Sequence, residues 1–249
     1  MSGQDNIWSE AVLASHAAWV ANDPHGVRLV MTGIDLSGLR PGGLVLVAVR
    51  FEDCTFRGTQ FVDLCLNQAE LVRCDFGGAV MNGVELREAR LEDCGFVEAS
   101  LNGADLVGAV IAGGDWNRAS LTDANLTAVD IDGVSFMQVA LDRSRLVKST
   151  WANTRLTSSC LDRVDMRDAD LEAVDLRACD IDGVVLNNTR WDRCGVHGIK
   201  GRPRLMGRGM LPGQVDRSPS FDGTDLADVQ GLASQAGWPD EPANADVLS

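Results

Sequence analysis

Large apolar residues recur at every fifth position from Met31 to Val196 without a slip in phase, and Pro41 is the one exception. The series includes Leu46, Phe51, Phe56, Phe61 and Leu66 near its start and Ile181, Leu186, Trp191 and Val196 at its end. Two residues before most of them sits a small side chain, such as Cys54, Ala69, Ala104, Ser144 or Thr189. A strict internal repeat decides an architecture before any other feature does. A helix needs a spacing of 3.6 and a half-buried strand a spacing of two. Five fits neither, so the chain must turn within each unit.

Sorting the large residues by phase within twenty gives columns of different character. One reads Phe56, Phe76, Phe96, Trp116, Phe136, Leu156, Leu176; another reads Leu46, Leu66, Leu86, Leu106, Leu126, Leu146, Met166, Leu186. An aromatic column beside a nearly pure leucine column implies that residues twenty apart stack on one another. Cys54, Cys74, Cys94 and Cys194 share a phase in the same way.

The units Ala104-Asp105-Leu106, Ala124-Asn125-Leu126 and Ala169-Asp170-Leu171 resemble the motif A(D/N)LXX of the pentapeptide-repeat family, and the register covers 166 of 249 residues. The resemblance implies an all-β solenoid, a right-handed quadrilateral parallel β-helix with four pentapeptides per coil. Coils about 4.8 Å apart give a rod of roughly 40 Å for eight turns. A single coil buries too little to stand alone, so stacked neighbours must stabilise it, as in any solenoid. The organisation expected is an N-terminal helical cap (1–30), the β-helix (31–198) and a partly helical C-terminal extension (199–249).

An open solenoid end exposes unpaired strand edge, so a cap is physically required. Trp8, Val12, Ser15 and Trp19 fall on one face of a helix over 7–20, which Asp23-Pro24 would stop. Pro41 cannot donate to a ladder, and Leu39 and Leu44 are oversized for the small slot, which places the first regular coil near Leu46. After Val196 the repeat ends. Lys200 to Arg208 reads as a solvated basic loop, and Asp222-Gly-Thr-Asp leads toward a helix carrying Leu226, Val229 and Leu232. The tail from Pro239 reads as disordered. The extension could cap the rod or join two rods into a homodimer.

With 36 acidic and 22 basic residues the net charge is −14, which makes free nucleic acid and anionic membranes poor partners. No run of transmembrane length and no signal peptide is present, so a cytoplasmic setting is expected. The seven cysteines read as reduced small hydrophobes in inward slots or, for Cys65 and Cys160, beside them. A metal site lacks CxxC spacing and histidine support, the histidines being His16, His25 and His197. No phosphate loop, nucleophile elbow, HExxH or catalytic histidine set is found. Neither an enzyme nor a cofactor is expected.

What remains is the outer surface. From Arg50 to Arg193, the column of Phe51, Leu71 and Leu91 is flanked by ten acidic and five basic residues, and that of Phe61, Met81 and Leu101 by six and two. The aromatic column balances four against four, and the leucine column has five against four. The excess lies on two opposite sides. Glu52, Glu92, Asp132, Glu172 and Asp192 share one column of the first side, and Asp142, Asp162 and Asp182 form a ladder on the second. These eight are the candidate binding residues.

Members of the resembled family that protect bacterial type II topoisomerases mimic duplex DNA in width and charge. The resemblance therefore implies DNA gyrase or topoisomerase IV as a protein partner. Duplex DNA carries about one charge per 1.7 Å, or roughly 20 over about 35 Å; the counted surface sums to −10, half that density. The register-breaking loops of some members are missing, so only a loop-free mechanism carries over. The alternative is a generic interaction scaffold with no topoisomerase role.

Overall fold

The computed structural model describes residues 8–203 together with the strand Ser220–Asp222. One helix, Glu10–Val20 (α1), precedes ten three-residue strands: Val30–Thr32 (β1), Arg50–Glu52 (β2), Glu70–Val72 (β3), Arg90–Glu92 (β4), Val110–Ala112 (β5), Asp130–Asp132 (β6), Thr150–Ala152 (β7), Asp170–Glu172 (β8), Arg190–Asp192 (β9) and Ser220–Asp222 (β10). The strands form one parallel sheet in sequence order. From β1 to β9 each pairs with the next at an offset of twenty, as in Phe51 with Leu71 and Leu71 with Leu91. Isolated parallel bridges at the same offset, such as Thr55 with Asp75, Gln60 with Val80 and Cys65 with Glu85, define three further sides. The result is a four-sided parallel β-solenoid, continuous through the expected span with no excursion from the coil.

The corner is a backbone requirement met at every fifth residue. From Gly33 to Arg193 the second residue after each large apolar one has a φ between 50° and 69°, whether it is glycine or a side chain as large as Arg73 or Lys148. L-residues resist this left-handed region because Cβ crowds the following carbonyl. The rest of the repeat must therefore hold each corner in place, and it does so with backbone bonds between coils. The large residue donates forward, as Leu86 N to Asp105 O (2.7 Å) and Leu106 N to Asn125 O (2.8 Å). The residue before it donates backward, as Asp105 N to Val84 O (2.9 Å), and the small residue closes the turn, as Ala109 N to Leu106 O (2.9 Å).

From Leu44 to Val196 both inward positions of each repeat are buried, apart from the half-buried Gly114, in one core running along the rod. Phe56, Phe76, Phe96 and Trp116 stack with ring centroids 4.7, 4.7 and 4.0 Å apart. Where the column takes the larger indole, the small slot shrinks to Gly114, at which a Cβ would lie 2.2 Å from Cys94 O. All seven cysteines are free, five of them buried. Burial pushes the Cys179 thiol up to about 12 and the Cys194 thiol up to about 11.

Two expectations about the ends need correction. The first regular coil begins at β1, not near Leu46: Val30–Thr32 already pairs with Arg50–Glu52, and Leu36 N donates to Thr55 O (2.8 Å). Pro41 is tolerated because its carbonyl still accepts from Val62 N (3.3 Å), while only its missing N–H is lost to the ladder. At the other end the ladder runs past Val196, since Lys200 O accepts from Ile181 N and Arg202 O from Gly183 N, both at 2.9 Å. Asp222 lies in β10, which adds a rung beyond β9 with Phe221 opposite Trp191. The expected helix around Leu226 and the expected disorder from Pro239 lie outside the described residues.

Helix α1 starts at Ser9, whose Oγ accepts from Val12 N (3.4 Å). It begins at Glu10, three residues later than expected, and ends at Val20 as expected. Asn22 takes φ 61°, and Asn22 N and Asp23 N donate back to Trp19 O and Ala18 O, both at 2.9 Å, the glycine-like C-terminal motif that asparagine also supports. Trp8 meets Phe51 edge-on at 6.3 Å, and Val12 and Leu13 rest on the end of the core. Among the described residues no helix is long and apolar enough to cross a membrane.

If the left-handed corner sets the architecture, Gly103→Val should destabilise the rod by about 1–2 kcal/mol. Nothing lies within 4 Å of the added Cβ, so the loss would come from backbone strain alone. Denaturant unfolding of the two proteins measures it; an unchanged midpoint would mean that the corner tolerates any residue.

Candidate interaction surface

On the sides without a full strand, the backbone ladder leaves one N–H in many repeats to be met by a side chain: that of the residue following the large apolar one. Two devices meet it. An Asp or Asn just before the large residue accepts it within the repeat, as Asp75 Oδ1 from Gly77 N (2.8 Å), Asp115 Oδ1 from Asn117 N (2.9 Å) and Asn125 Oδ1 from Thr127 N (3.3 Å). This is the local turn that short acceptor side chains favour. An Asp or Asn just after the large residue accepts from the next coil instead. Asn82 Oδ1 takes Asn102 N (3.0 Å), Asn102 Oδ1 takes Thr122 N (3.1 Å), Asp142 Oδ1 takes Asp162 N (3.2 Å) and Asp182 Oδ1 takes Arg202 N (3.0 Å). The structural need is for an acceptor oxygen. The negative charge is extra.

That distinction organises the second acidic side. Along it the ladder reads Asn82, Asn102, Thr122, Asp142, Asp162, Asp182, so the same post changes from neutral to charged halfway along the rod. Asp142, Asp162 and Asp182 lie on successive coils as expected. Asp142 also accepts from the Cys160 thiol (2.8 Å), and burial first, then this carboxylate, pushes that thiol up to about 11. Two arginines sit at the adjacent corners. Arg143 turns away to chelate Asp123 with bonds of 2.8 and 2.7 Å, and Arg163 lies 3.7 Å from Asp162. Asp142 and Asp182 have no ion pair among the described residues.

The first acidic side is the face of β1 to β9, and it differs from the expectation in two ways. Its predicted column has adjacent like charges only at Glu172 and Asp192; Glu52, Glu92, Asp132 and Glu172 alternate with Val72, Ala112 and Ala152, so these four carboxylates stand two coils apart. At about 4.8 Å per coil they are about 10 Å apart, comparable to the screening length in physiological salt. Their repulsion is therefore small.

The second difference is neutralisation by arginine at both ends. Near the N-terminal end Arg50 bonds Glu52 (3.0 Å) and Glu70 (2.7 Å), and Arg73 holds Asp53 and Glu52, both at 2.7 Å. These hydrogen bonds hold the Glu52 and Asp53 carboxyls below their usual range. Near the other end Arg193 engages Glu172 and Asp192, and Arg190 engages Asp170 (3.2 Å) and Asp192 (3.7 Å). Asp192 is left only 14 % exposed between the two arginines. Of the five predicted carboxylates here, Glu52, Glu172 and Asp192 are thus paired. Glu92 and Asp132 are the two without an ion pair among the described residues, and Asp132 accepts from Asn153 Nδ2 (2.9 Å).

The sequence reading did not single out Asp93 and Asp130, which flank Glu92 and Asp132 and also lack an ion pair among the described residues. Between these carboxylates Val110, Ala112 and Gly113 form a low, half-buried floor. The readable signal was the opposite charge at residues twenty apart, as in Arg50 and Glu70, Asp53 and Arg73, or Asp123 and Arg143; removing such pairs leaves the centre of the face. Asp75 is paired with Arg57 (2.8 Å), in keeping with the balanced aromatic side. Among the described residues no group of three or more His, Cys, Asp or Glu is placed to hold a metal ion.

A family model described as "Pentapeptide repeat region" matches residues 49–126, and one described as "Pentapeptide repeats (8 copies)" matches residues 135–172 and 152–188. No curated protein sequence matches the chain. Among solved structures, HetL, a pentapeptide repeat protein involved in heterocyst differentiation regulation from the cyanobacterium Nostoc sp. strain PCC 7120, is 20% identical over 80% of this chain and 96% of its own, with a TM-score of 0.49. A trypsin-treated form of QnrB1, a plasmid-mediated fluoroquinolone resistance protein, is 16% identical over 84% of this chain and 96% of its own, also with a TM-score of 0.49.

Substitution at Asp182 separates acceptor from charge. Asp182→Asn should leave unfolding within about 0.5 kcal/mol of the parent, whereas Asp182→Ala should cost about 1 kcal/mol by leaving the Arg202 N–H to water. Equal losses in the two variants, read from urea melts, would show that the charge itself stabilises the coil.

Proposed function

The chain belongs to the pentapeptide-repeat family, and on that premise we propose that it is a protein-binding rod that mimics DNA. Its carboxylate sides occupy the DNA-binding surface of a bacterial type II topoisomerase, DNA gyrase or topoisomerase IV, and protect that enzyme from an inhibitor or modulate it. The family is in general non-catalytic and works through protein–protein contacts, which suits a uniform rod. The observation that carries the reading is the surplus of carboxylates beyond what the coil needs. Asn82 and Asn102 serve the ladder without charge, yet Asp142, Asp162 and Asp182 bring one charge per coil to the same posts. A basic partner surface is the complement of such a ladder, and long-range attraction between the two would speed their encounter.

A second reading is favoured by the arginines that neutralise both ends of the strand face. A duplex mimic gains from unbroken charge, whereas a scaffold for a smaller basic protein needs only the central window of Glu92, Asp93, Asp130 and Asp132. In that case no topoisomerase is involved.

Gyrase supercoiling, measured with and without a gyrase poison across a titration of the protein, distinguishes the two. The DNA-mimic reading expects a dose-dependent effect that falls by about tenfold or more in the triple variant Asp142→Asn, Asp162→Asn, Asp182→Asn, with circular dichroism unchanged. The double variant Asp75→Asn, Asp115→Asn on the balanced side should stay within about twofold of the parent. Equal behaviour of both variants, or no effect of the parent protein, leaves the scaffold reading in place.

A further inference from the structure

Among the described residues no coil precedes the first one, and one side chain supplies part of what is missing. In a regular coil the residue equivalent to Leu29 donates its N–H within the turn, as Val49 N does to Leu46 O (3.3 Å) and Ala69 N to Leu66 O (3.1 Å). The carbonyl equivalent to Val47 O accepts from the preceding coil, as Asn67 O does from Ala48 N (2.8 Å) and Arg87 O from Gln68 N (2.7 Å). At the first coil both groups go to one imidazole. Leu29 N donates to His16 Nδ1 (3.0 Å), and His16 Nε2 lies 2.9 Å from Val47 O. The side chain thus stands where backbone would otherwise stand, and His16 is the one buried residue of α1.

This pairing allows one protonation state. A backbone N–H pointing at Nδ1 requires a lone pair there, so the proton sits on Nε2, which donates to the carbonyl. An imidazolium has no lone pair to offer Leu29 and would set two N–H groups against each other. The surroundings also oppose a positive charge. Burial lowers the tendency of His16 to protonate, the Val47 carbonyl partly offsets this, and Arg28 adds to the lowering. Arg28 lies over the Trp19 ring at 5.4 Å, donates from Nε to Ala48 O (2.7 Å) and pairs with Glu70 (2.9 Å). Trp19 in turn stacks on His16 at 5.9 Å. The other charged groups nearby are Arg50 of β2, tied to Glu70 and Glu52; Glu10 at the start of α1; and Asp23 and His25 in the exposed turn that follows the helix. No carboxylate among the described residues hydrogen-bonds His16.

We propose that His16 is an acid-released latch for the cap, whose protonation frees α1 from the first coil while the rod beyond it stays folded. The rod is held by its own ladder, and the cap by the two imidazole bonds together with the bond from Val27 N to Ser15 O (3.1 Å), Arg28 over Trp19 and the contacts of Trp8, Val12 and Leu13. Release would uncover the N–H of Leu29, the carbonyl of Val47 and the apolar end of the core, an unpaired edge of the kind that recruits another chain. The sign is fixed by the lowered proton affinity. The latch is closed above the ordinary histidine range near 6.5 and weakens as the pH falls below it toward the lower value of the folded state.

Amide hydrogen exchange of the full chain, corrected for intrinsic rates and followed from about pH 7.5 to about pH 4.5, tests the latch. Protection of residues 10–29 is expected to drop by about tenfold or more over that range while that of residues 86–126 holds. His16→Gln keeps an acceptor and a donor at nearly the same reach but does not titrate, so its cap should show a flat pH profile. Since that variant could also lose docking at every pH, imidazole nitrogen shifts of His16 in the parent protein provide an independent reading. They should report the Nε2–H tautomer at neutral pH and a titration that coincides with the loss of cap protection. Cap protection that does not change with pH, an equal drop in His16→Gln, or a His16 that titrates without cap release would each overturn the proposal.

Discussion

A corner in the left-handed region every five residues is the constraint on which the rest of this molecule depends. Such a corner costs energy at each of the many non-glycine residues that occupy it, and it survives because the residues on either side are bound to the coils above and below. Once the corner recurs with period five, two residues of each repeat point inward and three outward. The inward pair becomes a continuous stacked core, and the outward three become columns. Size must then be balanced locally, which is why Gly114 accompanies Trp116 and why Ser149 accompanies Trp151, accepting from its Nε1 (2.9 Å). Stability is shared between neighbouring coils, as expected of a solenoid.

The same geometry separates two properties that an aspartate combines. Its oxygen closes the N–H that the backbone ladder leaves open, and asparagine performs that task equally well at position 82 or 102. Its charge has no such task. Where Arg73 holds Asp53 and Glu52, or Arg143 holds Asp123, the charge is balanced within the rod. These exposed pairs add little to stability, but they shape the field that a partner meets. After that balancing, the carboxylates without an ion pair among the described residues include Glu92, Asp93, Asp130 and Asp132 at the middle of the strand face and Asp142, Asp180 and Asp182 along the second half of the opposite side.

The architecture was legible in the sequence because a period-five phase has few physical solutions, and the columns of period twenty confirmed the stacking. The ends were less legible. Pro41 suggested an irregular start, yet a missing donor costs one ladder bond and leaves the coil intact. Phe221 shares the phase of the repeat, but the stretch before it broke the pattern and hid the tenth strand. His16 drew attention only as a metal ligand without companions, because its role depends on which backbone groups the first coil leaves unpaired. The candidate surface was half legible. Column charge can be counted from sequence, and pairs twenty apart could have been read. The diagonal reach of Arg73 to Glu52 and of Arg193 to Glu172 depends on side-chain conformation, which a count of charges does not contain.

The functional account therefore rests on charge that the fold does not require, aimed outward from a rod of regular spacing. Equilibrium binding of the protein to the DNA-binding segment of a bacterial gyrase, titrated in rising salt and in the presence of a competing DNA duplex, tests it most directly. The account predicts that protein and duplex exclude each other and that the affinity falls steadily as salt is added. A ternary complex of rod, gyrase and duplex, or an affinity indifferent to salt, would contradict it.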